Sequence, residues 1–100
     1  MLRVLKITGN SLSPAYQEGD FVLVYKIPFS VVIYHPGDVI AFKHPFYGTL
    51  IKKVEWVAPE TKEMFVIGTH PNSVDSRQFG PIFVKDIIGK VIWHIKKPNL

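Results

Sequence analysis

Prolines and glycines cut this chain into short pieces, and what lies between them is rich in Val, Ile, Phe and Trp. Pro28, Pro36-Gly37, Pro45 with Gly48, Pro59, Pro71 and Gly80-Pro81 all fall between apolar runs and not inside them. The runs are Phe21–Lys26, Val31–Tyr34, Asp38–Lys43, Thr49–Val57, Glu63–Ile67 and Ile87–Ile95. Proline removes a ladder donor and is confined to strand ends, edges and turns, so this punctuation favours strands. Helical spacing is scarce. One short helical turn is predicted around Pro14-Ala15-Tyr16-Gln17, with Ser13 as its cap and Pro14 at its first position. The pattern predicts a mostly β chain, a small antiparallel β-fold.

One hundred residues with 47% hydrophobic content suit one core, and residues 1–100 read as a single domain. Cysteine is absent, which excludes disulfides and thiolate chemistry. The net charge of +4 is carried by lysines and arginine spread singly or in pairs, a poor footprint for nucleic acid. His35, His44, His70 and His94 have no ligand spacing, so neither a metal nor a cofactor is expected. Met1–Lys6 is interrupted by charge and does not read as a signal peptide. The apolar run from Phe21 to Phe42 contains Lys26, Pro28, His35, Pro36 and Asp38, which excludes a membrane-spanning helix. The expectation is a soluble cytoplasmic chain. Ile27–Tyr34 is the apolar segment suited to peripheral membrane contact, with packing into the core as its alternative.

Three clusters carry chemistry. Gly9-Asn10-Ser11-Leu12-Ser13-Pro14, followed by Glu18-Gly19-Asp20, describes a tight turn that presents a serine hydroxyl, which needs a base before it can act as a nucleophile. On the strand from Thr49 to Val57, alternation puts Lys52 with Leu50, Val54 and Trp56, and Lys53 with Ile51, Glu55 and Val57. A lysine in apolar company loses solvation as an ammonium, its pKa falls, and a free amine becomes available near neutral pH. The alternative is a side chain that snorkels to water. The polar loop Gly68–Gly80 holds Ser73, Asp75, Ser76 and Arg77. It can order itself through an Asp75–Arg77 ion pair and offer Ser73 or Ser76 to something buried nearby.

In order and content these clusters resemble the boxes of the signal peptidase I family of serine–lysine peptidases. Gly9–Pro14 with Gly19-Asp20 is similar to its serine box, with Leu12 where methionine usually stands. Pro36-Gly37-Asp38-Val39-Ile40-Ala41-Phe42 resembles its second box, Ile51-Lys52-Lys53-Val54 its lysine box, and Gly68–Gly80 its closing box. The likeness runs from about Thr8 to Lys90 and implies a minimal catalytic core without a large insertion. It implies Ser11 as nucleophile, Lys52 as general base, Ser73 as the hydroxyl that orients the amine, and Asp75 and Arg77 as the pair that holds the loop. Gly9 stands where some relatives place a hydroxyl for the oxyanion. The implied substrate is a protein or peptide bound extended, from which a signal peptide or propeptide is cut.

The chain also departs from the family pattern. Thr69-His70 replaces Asp-Asn, and Lys53 replaces an arginine that often pairs with that aspartate. The ending Asp75-Ser76-Arg77-Gln78-Phe79-Gly80-Pro81 resembles the nickel-type superoxide dismutase maturation proteases, which remove a propeptide. Two other classes fit parts of the pattern: a catalytically silent peptide- or membrane-binding β-domain, and a self-cleaving domain of the phage-repressor type.

Overall fold

Seven strands form one antiparallel sheet in a computed structural model that describes residues 1–9, 15–28, 30–70 and 72–98. They are β1 (Leu2–Lys6), β2 (Phe21–Tyr25), β3 (Val39–His44), β4 (Gly48–Ala58), β5 (Glu63–Ile67), β6 (Ile82–Phe83) and β7 (Ile87–Ile95). Their order in space is β1-β2-β7-β3-β4-β5-β6. The last strand is thus inserted between β2 and β3, and residues distant in sequence meet across it.

The sheet is apolar on both faces. Ile40 and Phe42 of β3, Val54 of β4, and Met64 and Val66 of β5 pack with Tyr34, Ile82, Val84 and Ile87 in one cluster. The residues between them point the other way, and Ala41 and Ile51 join Ile7, Val22 and Val24 in a second cluster. Leu5, Ile7 and Thr8 border the same crevice as Thr49 and Ile51, although β1 and β4 are separated by three strands in the sheet. The sheet therefore curls, and the second cluster fills the inside of the curl.

Three of the six predicted strands form with ends shifted by one residue, and Glu63–Ile67 and Ile87–Ile95 form with the predicted ends. Val31–Tyr34 does not form a strand. Between Ser30 and Tyr34 the backbone closes on itself: the Tyr34 N–H donates to the Val31 carbonyl at 3.0 Å, and the Val32 N–H donates to Ser30 Oγ at 3.2 Å. Ala15 and Tyr16 form a turn and bend, not a helix, while Ser13 and Pro14 of that predicted turn lie outside the described residues. Met1–Lys6, read only for targeting signals, supplies β1. One α-helical turn, Ser76–Phe79, forms inside the loop that composition marks as merely polar.

One register break changes a face. β4 pairs with β5 as Val54↔Val66 and then Trp56↔Phe65, so a residue is skipped between them. Such a bulge reverses the alternation beyond it. Trp56 consequently leaves the Lys52 face and stacks on Phe65 at 5.5 Å, and Val57 takes its place against the first core cluster.

Gly89 lies on β7 close against the neighbouring strand β2. A Cβ there would lie 3.0 Å from both the Tyr25 carbonyl oxygen and Val24 Cβ. Gly89→Ala is expected to cost about 1–3 kcal/mol through overpacking against rigid backbone, read as a lower urea midpoint at unchanged slope.

Candidate active site

Lys52 is 1% exposed. Its strand dictates that position: Ile40 lies directly across on β3, Val54 follows on the same face, and both belong to the first core cluster. Sequence alternation thus selects the buried lysine correctly, while Lys53 is only half-buried. Burial pushes the Lys52 amine below the ordinary lysine range. Asp75 opposes that shift and Arg77 assists it.

The closing loop reaches Lys52 because of the β4–β5 register. Lys53 pairs with Ile67, so Gly68, where β5 ends, follows at the level of Lys52. The Gly68 N–H donates to Asp75 Oδ2 at 2.9 Å. Asp75 is fully buried and caps the helical turn Ser76–Phe79, accepting the Arg77 N–H at 3.0 Å while its own N–H donates to Gln78 Oε1 at 2.9 Å. Its carboxylate also accepts Arg77 Nε at 3.0 Å and Arg77 Nη2 at 2.6 Å. Ser73 Oγ donates to Asp75 Oδ2 at 3.2 Å. Desolvation alone would raise the Asp75 pKa; the hydrogen bonds from Arg77 and Gly68 outweigh it and hold the carboxyl well below the usual carboxylate range. Ser76, buried at 3%, accepts the Val66 N–H through Oγ at 2.9 Å and ties the turn to β5. The predicted Asp75–Arg77 pair is therefore present, and it carries more of the loop than the two residues alone suggest.

Ser11 and its neighbours at positions 10–14 lie outside the described residues; the two ends of their loop do not. The Ile7 N–H donates to the Asp20 carbonyl at 2.7 Å, and the Gly19 N–H to the Ile7 carbonyl at 2.9 Å. Gly9 adopts φ +82° with no atom near a would-be Cβ, and its N–H donates to Glu18 Oε1 at 3.4 Å. Asp20 fastens this loop to the chain's far end. Its carboxylate accepts the N–H groups of Gln17 and Lys97 at 3.0 and 2.9 Å and lies 2.7 Å from His94 Nε2. Those backbone bonds, with His94, lower its pKa to about 2. Tyr16 stacks on His94 at 4.3 Å. The sequence holds no local signal for this clamp, because its parts lie 74 residues or more apart. His70 forms a turn, its Nδ1 accepting the Asn72 N–H at 3.1 Å.

Chemically, the described part of the site offers a dehydrated amine beside a carboxylate already neutralised by a guanidinium, with a hydroxyl two residues from that carboxylate. Among the described residues no group of three or more His, Cys, Asp or Glu is placed to hold a metal. No helix there is long and apolar enough to cross a membrane. Of the Ile27–Tyr34 segment, Val31 and Ile33 pack against the first core cluster and Tyr34 lies within it, Val32 is 74% exposed, and Phe29 lies outside the described residues.

Comparison with known proteins finds a match between residues 57–95 and the model of the signal peptidase family, peptidase S26. That span contains the closing loop and begins beyond Lys52. Signal peptidase I V of Bacillus subtilis (strain 168) is 38% identical over 56 residues, which cover 56% of this chain. The aligned part spans 33% of that relative's length.

A buried lysine with a depressed pKa should destabilise the fold. Below its folded pKa both states are protonated and only the folded state bears the desolvation penalty. As pH rises through the folded pKa towards the unfolded value of about 10.4 the folded amine loses its proton first, and stability rises. Lys52→Met keeps the packing without the charge. It is expected to be more stable than wild type at pH 7 and to lack that alkaline rise, measured by urea unfolding across pH 6–10.

Proposed function

Because both matches support the assignment of this chain to the signal peptidase I family, we propose that it is a serine endopeptidase that removes a signal peptide or propeptide by a Ser11–Lys52 dyad. The observation that carries this reading is Lys52 itself: a lysine 1% exposed, its pKa lowered by burial, next to a carboxylate that Arg77 neutralises. Structural lysines are almost never fully buried without a paired counter-charge, whereas a general base must be free of its proton.

In the proposed reaction the neutral Lys52 amine takes the Ser11 hydroxyl proton as Oγ bonds to the substrate carbonyl carbon. The resulting oxyanion is met by the Ser11 backbone N–H, since Gly9 contributes no side-chain donor. Collapse breaks the peptide bond, and the Lys52 ammonium passes its proton to the leaving amine. Water then attacks the acyl ester, Lys52 removes its proton, and Ser11 leaves with a proton restored. Ser73 accepts an N–H of the amine and directs its lone pair, its own hydroxyl proton being committed to Asp75. Asp75 and Arg77 hold the loop that carries Ser73.

The crevice between β1 and β4 supports an extended substrate. Thr8, three residues before Ser11, and Ile51, one residue before Lys52, both line it. β4 pairs with β3 throughout Gly48–Lys53, while its ladder to β5 begins only at Lys53. Backbone pairing along such an edge gives affinity, and shallow apolar walls from Leu5, Val22 and Ala41 favour small residues before the cut. Peripheral membrane contact through Val32 belongs to the same proposal and is tested by sedimentation with vesicles, where Val32→Ser should bind less than wild type.

Ser11→Ala and Lys52→Ala are each expected to lower peptide cleavage by about 10³-fold or more, as members of one unit. Lys53→Ala should keep most of it. The rate should rise on the acid side with an apparent pKa well below about 10.4, and that limb should survive in His70→Ala. An essential Lys53, or an acid limb lost with His70, would move the base away from Lys52.

A further inference from the structure

Strands β1 and β3, which both border the crevice, also border a hollow of about 390 Å³. Arg3 from β1, Lys26 after β2, Lys43 of β3 and Lys85 after β6 converge on it, against one carboxylate, Asp86, and an apolar floor that includes Ile88. Lys26 Nζ is held by the Ile87 carbonyl at 2.5 Å. Among the described residues none of these four cations lies within ion-pairing distance of a carboxylate. Arg3, Lys43 and Lys85 are exposed. Like charges gathered in a concavity repel one another and focus a positive potential that an anionic partner relieves.

The hollow and the crevice adjoin. Arg3 is two residues along β1 from Leu5, which borders the crevice, and Lys43 lies directly opposite Thr49, which borders it too. Two residues along a strand span about 7 Å, the same-side repeat of an extended peptide. A polypeptide laid along the crevice therefore carries its flanking side chains into the hollow at matching intervals. We infer that the hollow is a specificity subsite that binds carboxylate side chains of the protein substrate, so that the preferred substrate carries acidic residues close to its cleavage site. This inference rests on the crevice being the substrate cleft of the proposed peptidase. The carboxylates would meet Arg3 in fork geometry and Lys43 and Lys85 as point charges, while their methylene stems rest on the apolar floor.

The test uses fluorescein-labelled peptides with small residues before the cut and two glutamates on one side or the other, each matched to a glutamine version. In 20 mM salt one glutamate peptide should be cleaved about fivefold better than its match, the gain expected from two exposed ion pairs. The advantage should vanish in 0.5 M sodium chloride and in Lys43→Gln with Lys85→Gln. It should persist in Lys96→Gln, which removes an exposed charge outside the hollow. Equal cleavage of glutamate and glutamine peptides by wild type would overturn the subsite and leave the peptidase reading standing. If no peptide is cleaved, the peptidase reading fails, and anisotropy of the same acidic peptides still decides the hollow. Binding weakened by the double substitution supports it; binding that ignores the substitution overturns it. Sedimentation with phosphatidylglycerol vesicles that the double variant abolishes, with no discrimination between peptides, would assign the cations to a lipid surface and also overturn the proposal.

Discussion

Everything at the candidate site depends on how one buried carboxylate is neutralised. Asp75 lies inside the fold with no exposed surface, and an unpaired charge there would be prohibitive. The Arg77 guanidinium, two N–H groups from Gly68 and Arg77, and the Ser73 hydroxyl satisfy it together. This arrangement closes the loop onto the end of β5 and sets the helical turn. It also leaves little net negative charge beside Lys52. Were Asp75 unneutralised, its attraction would hold the lysine as an ammonium and offset the desolvation that lowers its pKa. The ion pair thus acts on the lysine by cancelling a charge, and no direct contact with it is needed.

The two arms of the site are anchored differently. Lys52 is fixed by its pairing with Ile40 of β3 and by packing in the first core cluster. The loop of Ser11 is closed at its base by Ile7, Gly19 and Asp20, and the Asp20 carboxylate binds that base to the β7 end of the chain through His94 and Lys97. A base held by packing and a nucleophile loop held by hydrogen bonds is a division of labour consistent with the proposed dyad.

Those features were unequally legible in the sequence. Strand alternation and apolar company single out Lys52, because burial on a pleated strand is a local property of the neighbours at i±2. The Asp75–Arg77 pair is legible for the same reason, lying within one short loop. Alternation puts Trp56 on the lysine's face and the structure does not, because a bulge belongs to the pairing of two strands and leaves no mark on either alone. Val31–Tyr34 has strand composition, but turn hydrogen bonds from Tyr34 to Val31 and from Val32 to Ser30 take up its backbone. The Asp20–His94 clamp, the insertion of β7 between β2 and β3, and the gathering of Arg3, Lys26, Lys43 and Lys85 into one hollow are products of topology. Each pairs residues whose separation along the chain exceeds any pattern window.

Burial beside a neutralised carboxylate lowers the pKa of the Lys52 amine below the ordinary lysine range. NMR titration of the Lys52 side chain in protein carrying ¹³C,¹⁵N-lysine measures this directly, with the exposed lysines as internal references. The expected Lys52 midpoint lies well below about 10.4 and moves upward in Arg77→Gln as the uncovered Asp75 charge reaches the ammonium. A midpoint at or above that of the exposed lysines would contradict it.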